Sequence, residues 1–293
     1  MKPEQYCPNP KCGIPVNWAE TVCHRCEQKL VVPNQRLVDC EPETQALEQK
    51  YLDAKEKAKQ AGYLDCFEQV ELQIKDDSHA VTNFDADTLK ILLANRDGYI
   101  TNYYMMVDSE IRPAADFDNG QVRGGVDSVL WADVGKYIKF AALSVNYYGL
   151  PSYGRCAVSY ADISMENKAT VLIENSYTFV ERHQLKVRDC DVPKGYRAVW
   201  SKRYKVAMIK LVDEIVNLKA QFNTADSLLF SEGNRSTDQF IEVHIYGKLP
   251  VSSIETITLP KTPADEGEKY LFTKIRDLAG KAVQAPIKVR EWS

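Results

Sequence analysis

Four cysteines near the beginning of the sequence have a spacing that could bind a metal ion. They are Cys7, Cys12, Cys23 and Cys26, arranged as C-x4-C-x10-C-x2-C. Each close pair can form a tight turn, so that four thiolates converge on one ion, and such a set favours tetrahedral zinc. His24 could replace one thiolate, although the four cysteines make the simpler set. Because four protein ligands leave no open position for water, we expect a structural zinc rather than a catalytic one.

A glutamate in the stretch FIEVHIYGKLP, residues 240–250, could do a different kind of chemistry. If the stretch is a strand, one of its faces is apolar and carries Ile241, Val243 and Ile245. Its other face carries Phe240, Glu242, His244 and Tyr246. One interpretation is a half-exposed strand whose polar face meets water. The other is a catalytic carboxylate at the floor of a cleft, and the pattern alone leaves both open.

The composition is that of an ordinary soluble protein. Of the 293 residues, 44% are hydrophobic and 27% are charged, with a net charge of −4. No run approaches the 18 or so apolar residues of a membrane helix, and the first residues lack the apolar core of a signal peptide. We therefore expect a cytoplasmic protein with no membrane partner. The net charge argues against nonspecific nucleic-acid binding by the whole surface, although the basic stretch SKRYK could bind locally.

The patterns predict an α+β domain behind a small metal-binding unit. We divide the chain into a zinc ribbon (1–40), a connecting helix and linker (41–84) and a main domain (85–293). The stretch VVPNQRLVDCEP, residues 31–42, has two prolines and is expected to be a linker. Helical patterns cover 43–62, 86–96, most of 127–149, 197–222 and 270–282. Strand patterns cover 97–107, 155–163, 168–179, 240–250 and 254–260, and a turn-rich segment covers 227–239. This order favours α+β over a doubly wound parallel sheet.

Common enzyme signatures are absent from the sequence. There is no glycine-rich phosphate loop, no G-x-S-x-G and no H-E-x-x-H. A hydrolytic triad would have to use His183 or His244, since the chain has only four histidines.

Several segments together resemble bacterial ADP-ribosyltransferases. The stretch LPSYGRCAVSYADI, followed by KATVLIENSYTF, is similar to the central strands of that family. The stretch FIEVHIYGKLPVSSIETI resembles its closing pattern, in which a catalytic glutamate opens E-V-x-[IV] and P-x-x-x-I follows. KFAALSVNYYGLPSYGRC is similar to an arrangement in an uncharacterised bacterial branch. The resemblance covers approximately residues 85–260 and consists of short motifs.

The resemblance implies a fold and a reaction. The fold would be a split β-sheet core with helices over residues 85–293, preceded by the ribbon. The substrate would be NAD, whose nicotinamide–ribose bond breaks through an oxocarbenium-like cation that a fixed carboxylate stabilises. Glu242 would be that carboxylate, and Ser176 would orient it.

The resemblance also implies residues that bind NAD. The family's first strand carries an arginine or histidine that anchors NAD, and this strand is expected near GYITNYY, which has neither. Tyr99, Asn102 or Tyr103 would substitute for the missing residue. Tyr153 and Gly154 would belong to the NAD pocket.

The acceptor is expected to meet the loop FSEGNRSTDQ, through Glu232, Arg235 and Gln239. Phe240 stands where arginine-modifying members carry a glutamine or glutamate, so an acceptor other than arginine is expected. Nucleic acid, RNA or DNA, is favoured over protein. Such an enzyme would act as a toxin of a toxin–antitoxin or phage-defence system, with a neutralising antitoxin protein. The alternatives are a non-enzymatic zinc-ribbon adaptor and a secreted effector that modifies a host protein.

Overall fold

The computed structural model describes residues 5–17, 19–95, 97–101, 125–186, 192–235, 237–282 and 286–292. The strands are β1 (Gln5–Tyr6), β2 (Pro15–Val16), β3 (His79–Phe84), β4 (Ile138–Ser144), β5 (Cys156–Tyr160), β6 (Ala169–Leu172), β7 (Arg197–Val199), β8 (Glu242–Tyr246), β9 (Ile254–Pro260) and β10 (Lys288–Trp292). The helices are α1 (Pro33–Val38), α2 (Glu41–Gln60), α3 (Leu64–Asp77), α4 (Ala86–Ala94), α5 (125–131), α6 (Asp162–Met165), α7 (Ser176–Arg182), α8 (Arg203–Leu218), α9 (Thr224–Leu228) and α10 (Glu266–Ala279).

Eight of these strands form one mixed sheet, in the order β10-β9-β5-β3-β4-β8-β6-β7. β10 runs parallel to β9, and the other neighbours are antiparallel. β1 and β2 pair separately in the ribbon. The predicted α+β class is confirmed.

The two faces of the sheet differ in chemistry. One face carries residues such as Val158, Val243 and Ile257, and it forms the main hydrophobic core with α2, α3, α4, α8 and α10. Residues paired across strands point to the same face. On this basis the opposite face carries His79, Ser159, Thr170, Glu242 and His244. We call it the polar face, and the site described below lies on it.

The segment predicted as a connector, 41–84, contributes to this core. α2 and α3 pack against α8, and β3 lies inside the sheet between β5 and β4. The helix predicted over 43–62 is confirmed, since Gly62 follows it with a φ of +81°. The prediction of a linker at 31–42 is wrong, because α1 forms there. Asn34 of α1 donates to the carbonyls of Lys168, at 2.8 Å, and His244, at 3.1 Å.

Three other element predictions are wrong in part. The helical pattern over 197–222 begins with the strand β7, and α8 forms after it. Most of 127–149 was expected to be helical, but residues 138–144 form the central strand β4. The strand predicted over 168–179 ends at Leu172, and α7 begins at Ser176. The strands predicted at 155–163 and 254–260 and the helices at 86–96 and 270–282 are confirmed in type. Of the predicted strand 97–107, residues 102–107 lie outside the described residues.

No helix within the described ranges is both long and apolar enough to span a membrane.

Candidate active site

Glu242 is the first residue of β8 and lies on the polar face. It pairs with Ala142 of β4 on one side and with Leu172 of β6 on the other. Its side chain is enclosed, since the residue is only 6% exposed. The interpretation of a strand whose polar face meets water is therefore wrong for β8. Burial of a carboxylate is costly unless donors compensate it.

Ser176 supplies two of those donors. Its backbone N–H donates to Oε2 of Glu242 over 2.9 Å, and its hydroxyl donates to the same oxygen. Asn175 caps α7, because its side-chain oxygen accepts from the N–H of Tyr177 at 2.9 Å. The cap fixes the first turn of α7, so the N–H of Ser176 is aimed at the carboxylate. Ser176 therefore contacts Glu242 from the start of a helix. The sequence pattern had predicted a strand at this position.

His244 completes the network around this oxygen. Its Nε2 lies 3.0 Å from Oε2 of Glu242 and 3.1 Å from Oγ of Ser176. The imidazole is fully buried, with its centroid 4.5 Å from the Trp131 ring and 5.4 Å from Phe140. These rings hold the imidazole in place, so all three polar residues have a defined position.

The hydrogen bonds from Ser176 and His244 all end on Oε2 of Glu242. Within the part of the chain that the structure describes, Oε1 has no hydrogen-bond partner. Two polar atoms beside the site, Nδ1 of His244 and Nε1 of Trp131, are buried without a partner in that same part. Orphaned buried polar atoms are rare in folded proteins and are common where a ligand or water binds. The arrangement leaves one carboxylate oxygen for a substrate.

The segment 145–155 crosses the polar face above β3, since it joins two strands that flank β3. Asn83 of β3 holds this crossing segment. Its side chain donates to the carbonyl of Gly154 at 2.9 Å and accepts from the N–H of Leu150 at 2.7 Å. Gly154 has a φ of +150°, and a Cβ there would lie 2.3 Å from the carbonyl carbon of Phe84. Only glycine lets the crossing segment pack this closely on β3.

The predicted acceptor loop folds onto the crossing segment. Arg235 donates to the carbonyl of Ser152 at 2.9 Å, and its guanidinium lies 4.6 Å from the centroid of the Tyr153 ring. Asp238 accepts from the hydroxyl of Ser152. The structure thus brings Arg235 together with Tyr153 and Gly154, two groups predicted separately.

The rest of the acceptor loop is anchored beside β8, the strand that carries Glu242. Gln239 pairs with Phe230 through the backbone, and Glu232 is exposed. Phe240, directly after the loop, packs with Ala142, Leu150 and Leu229, and therefore fixes the loop beside β4.

Of the three residues proposed to replace the NAD-anchoring arginine or histidine, only Tyr99 lies within the described ranges, and it is not brought to Glu242. Tyr99 pairs with Pro250, beyond the far end of β8, whereas Glu242 begins that strand. Asn102 and Tyr103 lie outside the described residues. Tyr99 is therefore displaced from the site by the length of a strand.

A histidine that the sequence analysis did not single out, His79, lies on the same face of the sheet as Glu242. The first strand of the large sheet is β3 and not GYITNYY, and β3 begins with His79. Val81 pairs with Ala142, which pairs with Glu242, so His79 shares their face at roughly 12 Å from Glu242 between Cα atoms. Burial lowers the pKa of His79, so its ring is neutral at neutral pH. The alternation of residues in HAVTNF could have indicated this strand. The stretch precedes residue 85, where the main domain was expected to begin.

The four predicted metal ligands converge in the ribbon. The sulfurs of Cys7, Cys12, Cys23 and Cys26 lie within 4.8 Å of one another. Two of the sulfur pairs are 3.5 and 3.8 Å apart, close to the roughly 3.8 Å expected around a tetrahedral zinc with bonds of about 2.3 Å. The N–H of Cys26 donates to the sulfur of Cys23 and lowers the pKa of that thiol to about 6. The four cysteines thus fit a structural zinc.

Comparison with models of known protein families gives no match. Comparison with curated proteins gives none either.

Proposed function

We propose that this protein is an NAD-dependent ADP-ribosyltransferase whose catalytic carboxylate is Glu242. One observation carries the proposal. Three hydrogen bonds hold one oxygen of an almost buried glutamate, and the other oxygen of that glutamate is left without a partner among the described residues. A carboxylate fixed in this way is suited to stabilise a cation that develops beside it.

The proposed reaction replaces nicotinamide by an acceptor on one ribose carbon of NAD. The bond between that carbon and the nicotinamide nitrogen breaks, and nicotinamide leaves with the bonding electron pair. Positive charge then develops on the ribose, where Oε1 of Glu242 stabilises it. The acceptor's nucleophile forms the new bond to the same carbon and gives its proton to Glu242 or to water.

His79 is the residue we assign to NAD binding, in place of Tyr99. It occupies the first described strand of the large sheet, on the face of Glu242. The family resemblance implies an anchor on the first strand, although that strand was expected near GYITNYY. Tyr153 and Gly154 belong to the crossing segment between β4 and β5. A dinucleotide bound at this segment can extend toward Glu242. The ADP-ribosyltransferase-like arrangement of the sheet is part of the same proposal.

The proposed acceptor is nucleic acid. Arg235 and Gln239 lie on an exposed loop that is anchored directly before Glu242. No glutamine or glutamate stands at position 240, which argues against an arginine acceptor. A transferase of this kind acting in the cytoplasm of its own cell would be a toxin with a neutralising protein partner.

The test is transfer of label from NAD into cell extract. Wild-type protein should label nuclease-sensitive material, and Glu242→Gln should lower the labelling by about 100-fold or more, because the substitution removes the charge and keeps the shape. Glu56→Gln, on the exposed side of α2, is the matched control and should leave labelling unchanged.

Three other outcomes would change the proposal. Protease-sensitive label would move the acceptor to protein, as a secreted effector predicts. Equal labelling by the wild type and Glu242→Gln would remove Glu242 from catalysis. Absence of labelling by folded, zinc-loaded protein would favour the non-enzymatic adaptor, for which the four-cysteine ribbon is the supporting observation.

A further inference from the structure

Four lysines gather at the end of the sheet opposite to Glu242. Lys139 is the second residue of β4, Lys168 directly precedes β6, and Lys248 follows β8 by two residues. The fourth, Lys29, comes from the ribbon, where it pairs with Val22. We call these four lysines the basic rim.

Two of the rim lysines, Lys139 and Lys168, are bound to carbonyl groups and not to carboxylates. The Lys139 ammonium donates to the carbonyl of Gly247, and the Lys168 ammonium donates to the carbonyl of Lys248 at 3.0 Å. Lys139 is only 5% exposed. Across the described ranges, no rim lysine forms an ion pair. A buried cation without a counter-charge is costly, which points to an anion that binds there.

The charges of the rim act on one another. Burial, followed by the charge of Lys168, lowers the pKa of Lys139 to about 8. Burial, followed by the charge of Lys29, lowers the pKa of Lys168. The ribbon and the sheet therefore contribute to one positive surface on a protein whose net charge is −4.

Two exposed aromatic rings border the rim. Tyr99 is 42% exposed, and its ring centroid lies 5.0 Å from the ammonium of Lys248. Tyr137 is 47% exposed, and its carbonyl accepts from the N–H of Gly247 at 3.0 Å. Positive charge combined with exposed aromatic rings is the usual composition of a single-strand binding surface, because phosphates pair with the cations and bases stack on the rings.

We propose that the basic rim binds the phosphodiester backbone of a single-stranded nucleic acid, with Tyr99 and Tyr137 as stacking platforms for its bases. Lys29, Lys168 and Lys248 contact phosphates, and Lys139 beneath them adds charge and holds the turn at Gly247. The rim lies roughly 15 Å from Glu242 along β8. A single-stranded nucleic acid bound at the rim can therefore place another of its nucleotides, a few positions along its chain, at Glu242. The inference deepens the proposed function, since the bound strand would be its acceptor.

The test is direct binding without NAD. A fluorescein-labelled single strand of about 20 nucleotides, as RNA and as DNA, is titrated with protein from about 50 to 200 mM salt, and anisotropy is recorded. Lys168→Gln/Lys248→Gln should weaken binding by about 10-fold at low salt. It should also reduce the slope of log affinity against log salt by about 1 to 2. Lys57→Gln/Lys59→Gln on α2 removes the same charge elsewhere and should change neither.

Equal weakening by the two double variants would show a general charge effect and overturn the rim. Two other results would also overturn the rim. One is that the labelled nucleic acid does not bind the wild type, and the other is that it binds both double variants as tightly as the wild type. Thermal unfolding checks that the variants are folded. Binding is measured without NAD and labelling is measured with it, so a failed rim and a failed transferase give different results.

Discussion

Ser176 reaches Glu242 through two donors, and only one of them belongs to its side chain. Ser176→Ala removes the hydroxyl and keeps the backbone N–H, so the carboxylate is held less firmly but stays in place. We expect kcat to fall by roughly 10- to 100-fold, with little change in KM for NAD. The measurement is nicotinamide release, with the exposed Ser201→Ala as control. A change in KM alone would contradict a positioning role.

The buried ammonium of Lys139 lowers the free energy of unfolding. Since its pKa is lowered to about 8 in the folded protein, its charge destabilises the fold below that pH, and the effect disappears as the pH rises toward 10.5. Lys139→Met should therefore raise the free energy of unfolding by about 1 to 2 kcal/mol at pH 7. The gain should shrink at pH 10, as measured by urea unfolding at both pH values. A loss of stability at pH 7 would contradict this account of the buried charge.

Part of the candidate site could be predicted from the sequence, residue by residue. Alternation in the strand singled out Glu242, and the family resemblance added Ser176. The hydrogen bonds between them join positions 66 apart in the chain, and no local pattern encodes such a contact. His79 was missed because its short strand lies before the expected domain boundary.

The strand β4 shows why element prediction failed within 127–149. In IKFAALS, the residues on both faces are buried or nearly so, because β4 is central in the sheet. A strand buried on both faces lacks alternation, and its alanines favour a helix locally. Pairing with β3 and β8 outweighs that local preference. By contrast, IETITLP is rich in β-branched residues, and its strand is confirmed over the same seven residues.

The helix α7 shows the opposite error. The stretch ENSYTF continues the β-rich pattern of KATVLI, but Asn175 caps a helix at the point where the strand was expected to go on. Asparagine at a helix start competes well with the strand, because its side chain satisfies the first backbone N–H groups. The error matters for function, since the helix start provides the backbone donor to Glu242.

The ribbon is the element whose fold should depend on its metal. Cys23→Ser removes one of the four converging thiolates, and a segment this small cannot build a core without the ion. We expect loss of bound zinc and fast amide exchange over residues 5–30, with slow exchange retained in β3, β4 and β8. Cys40→Ser, at the start of α2, should keep zinc and protection. Global unfolding of Cys23→Ser would show that the ribbon is not an independent element.

At the scale of the whole molecule, the ribbon, the sheet end and the site are connected through α1 and β8. Asn34 of α1 binds the carbonyl of His244, while Arg36 donates to Gln5 of the ribbon. β8 begins with Glu242, and Lys248 follows two residues after its end. The cluster of four cysteines and the α+β class could be predicted from the sequence. The shared positive surface could not, because Lys29 and Lys168 meet only in the folded chain.

We propose that Glu242 promotes cleavage of the nicotinamide–ribose bond of NAD. The most direct measurement is nicotinamide release from NAD by purified protein, with single-stranded RNA or DNA present, for wild type, Glu242→Gln and Glu56→Gln. We expect release by wild type and Glu56→Gln, and a rate at least about 100-fold lower for Glu242→Gln, with all three proteins folded. Equal rates for the wild type and Glu242→Gln would contradict it, as would no release by any of the three.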